Sequence, residues 1–435
     1  MRSFHQLMTR SALLALACFA GAAIAAPSAT ERALVKRIQA QEAGSVALLE
    51  ELVNVNSGTM NFAGVRKVGD ILRPRFEALG FKVRWEDGAP FGRAGHLIAE
   101  HPGRGRHLLL IGHLDTVFEP NHPFQRFERI DAQTVKGPGT SDMKGGLVVA
   151  LAALTALKEA KALDGMHITV VMTGDEEDSG RPLSLARASL VEAAKAADVA
   201  IGLENGADDP KTALTARRGY TGWQIDVKAR SAHSSQIFTE QVGAGAIYEL
   251  ARILHTFYEE LHGEELLTFN PGLIAGSTQL NFDAKNLRAE TFGKDNIVAP
   301  IAVATGDLRT ISPGQLARTK ERMEKIVAAS LPHASATITF RDGYPPMPPT
   351  EGNRRLLEMY DAVSRDLGFG PVTAVDPRRA GAADVSFVAH EVEMAIDGIG
   401  LLGRGNHTPD EVADLRTFQI QSQRLAVLLL RLNER

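Results

Sequence analysis

The chain has 435 residues, 44% hydrophobic and 23% charged, an ordinary globular composition with length enough for two domains. Its net charge of −4 leaves no footprint for nucleic acid, which is not expected as a partner. The one cysteine, Cys18, lies near the start.

The first 25 residues read as a secretory signal peptide. Arg2 and Arg10 precede an apolar run over 11–20, too short to span a bilayer, and Ala23-Ile24-Ala25 is a small-residue cleavage site. The expected location is the periplasm or the medium. After cleavage no thiol remains, so any metal must be held by His, Asp and Glu. No later segment reaches transmembrane length, and no membrane partner is expected.

Helical spacing covers 30–55 and 61–79, the second ending at Gly80. Short strands are predicted over 81–85, 95–100 and 107–111; the last is continuously apolar, as in a strand buried on both faces. An alanine- and leucine-rich helix follows over 145–163, then a buried strand over 168–172, a helix over 183–196 and a strand over 198–203. Alternating strands and helices make this part α/β. Past Leu214 the pattern changes. Strands over 222–229, 268–276, 301–309 and 334–341, with helices over 243–261 and 313–329, give a β-α-β-β-α-β order that fits a ferredoxin-like sandwich. The polar insertion 277–295 is expected to be a loop. Tyr344-Pro345-Pro346-Met347-Pro348-Pro349 reads as a stiff linker back to the first domain. Segments 353–367 and 381–389 and a helix over 415–432 complete it. The expected division is 26–214 and 346–435 for a catalytic domain, with 215–345 inserted as a lid.

The stretch Gly137-Pro138-Gly139-Thr140-Ser141-Asp142-Met143-Lys144-Gly145-Gly146 places one carboxylate among glycines. It fails as a phosphate loop, because a dinucleotide loop needs Gly where Asp142 stands and a P-loop needs Ser or Thr after Gly-Lys. A carboxylate repels phosphate but suits a cation. Four further signals follow predicted strand ends or a glycine-rich loop: Gly112-His113-Leu114-Asp115, Asp175-Glu176-Glu177-Asp178, Glu204-Asn205-Gly206 and Asn406-His407-Thr408. In open α/β sheets ligands bind outside the carboxyl ends of strands. Two zinc ions about 3.5–4 Å apart need a shared carboxylate and further nitrogen and oxygen ligands. Asp142 can bridge, His113 and His407 supply imidazole, and Glu177 and Glu204 supply carboxylate. Asp115 can orient His113 through its second ring nitrogen. Glu176, beside the ligands but not among them, suits a general base for water.

This order, His-x-Asp, Gly-x-x-Asp-x-Lys-Gly, Glu-Glu, Glu and a late His followed by an acidic residue, resembles the co-catalytic zinc peptidases. That family includes aminoacylase, acetylornithine deacetylase, succinyl-diaminopimelate desuccinylase and glutamate carboxypeptidase, and the likeness is nearest to the carboxypeptidase G type. The resemblance implies a split zinc-exopeptidase domain of mixed central sheet and flanking helices, with an inserted α+β lid that also dimerises. It implies His113 and Glu204 on one zinc, Glu177 and His407 on the other, Asp142 between them and a cis Asp142–Met143 peptide. In the lid, Ser231-Ala232-His233-Ser234 is similar to a segment whose His reaches substrate across a dimer. Asn296-Ile297-Val298-Ala299-Pro300 and Asp307-Leu308-Arg309 resemble substrate-binding motifs, and Arg341 fits the arginine that holds a substrate carboxylate. Gly381-Ala382-Ala383-Asp384 resembles the family's Gly-x-x-Asp.

The implied reaction is hydrolysis of an amide next to a free carboxylate, releasing C-terminal glutamate. An N-acyl-amino-acid deacylase is the alternative within the family, and a secreted binding protein with a silent centre is the rival outside it. His390-Glu391 reads as a helix end, since the second His of a zinc-protease helix is missing. Arg217-Arg218 and Arg378-Arg379 read equally as solvated pairs or as functional residues.

Overall fold

The computed structural model describes residues 27–207 and 209–434; the leader and Cys18 lie outside them. Helix α1 (Ala29–Val53) starts in a capping box, Ser28 accepting from the Glu31 amide while Glu31 accepts from the Ser28 amide. Asn61 caps α2 (Phe62–Ala78). Strands β1 (Lys82–Asp87), β2 (Gly95–His101) and β3 (His107–His113) follow, then α3 (Lys144–Glu159), β4 (His167–Thr173) and β5 (Val199–Gly202). The inserted part runs through β6 (Thr221–Ala229), α4 (Gly245–Leu261), β7 (Thr268–Ser277), β8 (Gln279–Asp283), β9 (Arg288–Phe292), β10 (Ile301–Arg309), α5 (Pro313–Ala328) and β11 (Ala334–Asp342). Helix α6 (Glu351–Asp366), β12 (Met394–Ile396) and α7 (Arg416–Asn433) return to the first layer.

The central sheet has the order β1-β2-β4-β3-β5-β12. It is mixed: β4, β3, β5 and β12 are parallel neighbours, while β2 runs antiparallel to both of its neighbours, β1 and β4. Alternate side chains of β3 serve opposite faces, as the pleat dictates. Leu108 and Leu110 pack with α1, α3 and α7, whereas Leu109 and Ile111 pack with Leu190, Val385 and Phe387. Both faces are covered, which is why this strand is continuously apolar.

The inserted sheet has the order β7-β10-β6-β11, all antiparallel. Trp223, Ile225 and Val227 of β6 pack against α4 and α5 through Ile253, Phe257 and Met323. The chain leaves for this domain and returns from it side by side. Arg217 and Met347 exchange backbone hydrogen bonds of 2.9 and 3.0 Å.

Four readings change. The segment 277–295 is not a loop: β8 and β9 form a hairpin in which Asp283 faces Arg288 across the pair. Asp283 accepts from the Lys285 and Asn286 amides and so closes the turn. The helix expected over 183–196 is two pieces, Leu183–Ala186 and Ala188–Lys195, broken at Arg187. The stretch around His390 follows a single 3₁₀ turn, Asp384–Phe387, and leads into β12, which the sequence pattern had not signalled. Arg217 is buried with Asp397 at 2.8 Å and is no solvated residue.

Candidate metal centre

His113 ends β3, and Glu176 and Glu177 follow β4. Glu204 follows β5, so three parallel neighbours deliver acids and an imidazole to one end of the sheet. Asp142 stands two residues before α3, and its peptide to Met143 is cis. His407 comes from the loop before α7 with φ of 62°, a left-handed conformation uncommon outside glycine.

Two donor groups result. His113, Asp142 and Glu204 have donor atoms within 4.8 Å of one another, and so do Asp142, Glu177 and His407. Asp142 belongs to both: one of its oxygens is 3.2 Å from His113 Nε2 and the other 3.1 Å from His407 Nε2. Glu204 reaches His113 Nε2 at 3.4 Å, and Glu177 reaches His407 Nε2 at 3.1 Å. Each group thus joins one imidazole and one carboxylate to a shared carboxylate. That set fits a borderline divalent cation such as zinc at each end of Asp142.

Charge accounting points the same way. Burial would lower the His113 pKa, but Glu204, Asp115 and Asp142 raise it well above its usual value. Hydrogen bonds to Asp142 and Glu177 push His407 up to about 11. Burial and the nearby Asp142 push Glu177 up to about 7. The cluster therefore draws protons onto its imidazoles, the positive charge that divalent cations would otherwise bring.

Asp115 does more than orient an imidazole. Its carboxylate is 3.4 Å from His113 Nδ1, accepts from the Thr59 hydroxyl at 2.6 Å, and accepts from the amides of Glu176 and Glu177 at 3.1 Å each. It ties the end of β3 to the Glu176-Glu177 segment. The Glu176 carboxylate has no hydrogen-bond partner among the described residues. Burial, then the charges of Glu177 and Glu204, raise its pKa well above the usual carboxylate range against the opposing pull of His113.

Several supporting residues escaped the sequence reading. Glu411 accepts from the amides of Gly139, Ser141 and Asp142 at 3.0, 3.0 and 3.1 Å, clamping the glycine-rich loop. Only its place as the acidic residue after the late His signalled it. Asp397 accepts from the Glu204 amide at 3.2 Å while bound to Arg217. Buried Arg187 joins Asp175 at 2.6 Å to Asp384 at 2.8 Å and donates to the Tyr344 hydroxyl. Tyr344 in turn donates to the Glu176 carbonyl at 2.6 Å. Buried Lys144 donates to the carbonyls of Leu52 and Val55. Asn406 accepts from the Ser141 hydroxyl, so its side chain serves the loop.

The lid residues stand apart: among the described residues no hydrogen bond or ion pair links them to the cluster. Exposed His233 bonds to Ser235, and its strand segment bridges to Ile297 beside Asn296. Arg309, read as a substrate-binding residue, pairs with Asp307 at 2.8 Å and lies over the Tyr220 ring. Arg341 is exposed near the end of β11, and its side chain has no ion pair or hydrogen bond among the described residues.

A family model, peptidase family M20/M25/M40, matches residues 109–431, which hold every residue of the cluster. The chain belongs to this family. Carboxypeptidase G2 of Pseudomonas sp. (strain RS-16) is 28% identical over 406 residues, covering 92% of this M20 chain and 91% of that protein. Succinyl-diaminopimelate desuccinylase of Sphingopyxis alaskensis is 35% identical over 123 residues, covering 25% of the chain and 29% of the relative. Among solved structures, the Bacillus subtilis YXEP protein, described as a dinuclear metal binding peptidase, superposes with a TM-score of 0.63 at 16% identity, covering 91% of this chain and 99% of its own. Aminopeptidase PepT of Bacillus cereus gives 0.69 at 18% identity, covering 92% and 98%. This M20 chain is accordingly a hydrolase of the metallopeptidase and amidohydrolase type, built on the family's fold.

Loss of the Glu411 clamp tests the loop. Glu411→Ala should weaken divalent-metal binding by about 10- to 100-fold although the five clustered residues are intact. Competition with a chelator measures it, and unchanged affinity would remove the anchoring role.

Proposed function

We propose that this chain is a di-zinc carboxypeptidase that hydrolyses the amide bond next to a free carboxylate and releases C-terminal glutamate. The observation that carries it is one carboxylate, Asp142, shared by two donor groups, with Glu176 left unengaged beside them. His113 and Glu204 would hold one ion, Glu177 and His407 the other. Bound there, the ions supply Lewis acidity, polarising the scissile carbonyl and easing loss of a proton from water.

Glu176 accepts the proton of the attacking water on its carboxylate and passes it to the leaving nitrogen as the carbon–nitrogen bond breaks. Its backbone is pinned by Asp115 and Tyr344, which fixes the point from which the carboxylate reaches the site. Arg341 meets the substrate's terminal carboxylate with its two-pronged guanidinium. Similarity to carboxypeptidase G2 along nearly the whole chain supports glutamate as the released residue. Partial likeness to desuccinylases keeps an N-acyl-amino-acid deacylase as the second reading. The signal-like pattern of the first 25 residues supports the periplasm or the medium as the place of the reaction.

A second copy of the chain is the proposed partner. The sheet edge β7 is largely exposed, and α4 exposes Ile247, Tyr248 and Tyr258. Edge strands of this kind invite pairing, and His233 would serve the partner's site. Sedimentation of the mature chain should give a dimer; a fully active monomer ends the role of His233 in trans.

Glu176→Ala should keep its zinc and lose about 10²–10⁴-fold or more in kcat. Glu177→Ala should lose metal as well as activity. Zinc content and kcat measured together separate the two roles, and the reverse pattern would swap them.

Peptides with a free C-terminal glutamate should be cleaved and their amidated counterparts should not. Arg341→Ala should raise KM and relax the preference for glutamate. Equal rates on acid and amide would end the carboxypeptidase reading.

A further inference from the structure

His96 is fully buried near the start of β2 and belongs to neither donor group. Both of its ring nitrogens are engaged. Nδ1 stands 3.2 Å from the Gly174 amide nitrogen, and Nε2 stands 2.9 Å from the Ala186 carbonyl oxygen. The ring stacks on Phe91, with centroids 5.1 Å apart. A backbone amide can only donate and a carbonyl can only accept. The two bonds therefore specify a neutral imidazole with its single proton on Nε2.

Gly174 opens the turn that carries Glu176 and Glu177. The paired residues of β2 and β4 end at Leu97 and Met172. Beyond that ladder the Gly174 amide has the His96 side chain as its acceptor. The two strands stay close there: a Cβ on Gly174 would come within 2.3 Å of the Gly95 carbonyl oxygen, so only glycine fits.

Ala186 stands one residue before Arg187, and its carbonyl accepts from His96 and, at 3.2 Å, from Arg187 Nη1. The same guanidinium holds the Asp175 carboxylate at 2.6 Å, the Asp175 carbonyl at 3.1 Å and the Ser179 hydroxyl at 3.0 Å. His96 thus holds the entry of the turn directly, and it shares an acceptor with the arginine that braces the turn from within. No hydrogen bond or ion pair joins His96 to the donor groups among the described residues, so it acts on them only through Gly174 and Ala186.

We propose that His96 is a positioning residue for the hydrolysis: as a neutral ring with Nδ1 bare, it holds the turn from Gly174 to Glu177 so that Glu176 meets the attacking water. This rests on the reading of Glu176 as the base.

His96→Phe keeps a ring and loses both bonds, whereas His96→Asn sets an amide oxygen where Nδ1 stands and keeps the Gly174 bond. On N-acetyl-Ala-Glu with saturating zinc, His96→Phe should lose about 10-fold in kcat at unchanged KM, the effect of about one hydrogen bond. His96→Asn should recover most of that loss. In a Glu176→Ala background His96→Phe should leave the residual rate unchanged, because the group it positions is gone. A merely structural role would lower stability at wild-type kcat, or lower kcat by the same factor in both backgrounds, and either result would overturn the proposal. Nitrogen NMR of the zinc-loaded wild-type protein with labelled histidine needs neither turnover nor the Phe variant. The signal lost in His96→Asn should be that of a neutral ring protonated at Nε2; a charged ring or a proton on Nδ1 at neutral pH would overturn the proposal. Glu176→Ala alone tests the base reading: near-normal kcat there overturns both, whereas wild-type kcat in His96→Phe overturns His96 alone. If N-acetyl-Ala-Glu is left intact, the carboxypeptidase reading falls, and the same comparison on N-acetyl-glutamate decides His96.

Discussion

Four carboxylates, those of Asp142, Glu176, Glu177 and Glu204, converge at the ends of β3, β4 and β5 and the start of α3. Each costs desolvation when withdrawn from water, and each repels the others; at about 4 Å a like pair opposes by about 4 kcal/mol even in a fairly polarisable surrounding. Two imidazoles offset part of this by taking up protons. The remainder is a standing demand for positive charge, and it makes the site a receptor for cations rather than a chance gathering of acids. Everything around it resists the relaxation that would let those carboxylates drift apart.

The resistance comes from buried polar anchors set behind each donor. Asp115 fixes the Glu176-Glu177 segment, Glu411 fixes the Asp142 loop, and Asp397 fixes the Glu204 amide. Behind β4 stands Arg187 between Asp175 and Asp384. Buried ion pairs of this kind add little net stability, but removing one partner strands a charge and is costly. Their value here is placement: each converts a strand end, free to fray, into a point of known direction.

Local pattern carried much of this. The strand over 107–111 and the helix over 145–163 show in their apolar runs, and metal-type side chains at strand ends pointed to a shared site before any geometry was known. The supports were hidden because they are long-range. Arg187 meets Asp384 from 197 residues away, and Arg217 meets Asp397 from 180. A charged residue among alanines looks solvated until its distant partner is placed beside it. The helix also breaks at this residue, whose φ of −114° and ψ of 6° lie outside helical geometry. Hairpin β8–β9 was missed although Gln279-Leu280-Asn281-Phe282-Asp283 alternates polar and apolar: each strand has only five residues and none of them is buried. Three-residue β12 was too short to register.

The two crossings between the domains lie side by side, stitched by the paired amides and carbonyls of Arg217 and Met347. That two-bond bridge couples the inserted domain to the first, with Arg217 as its pivot. That same residue grips Asp397, which grips the Glu204 amide, so the pivot and one end of the donor cluster are the same piece of chain. Opening the cleft and disturbing the Glu204 end of the centre become mechanically linked rather than independent events.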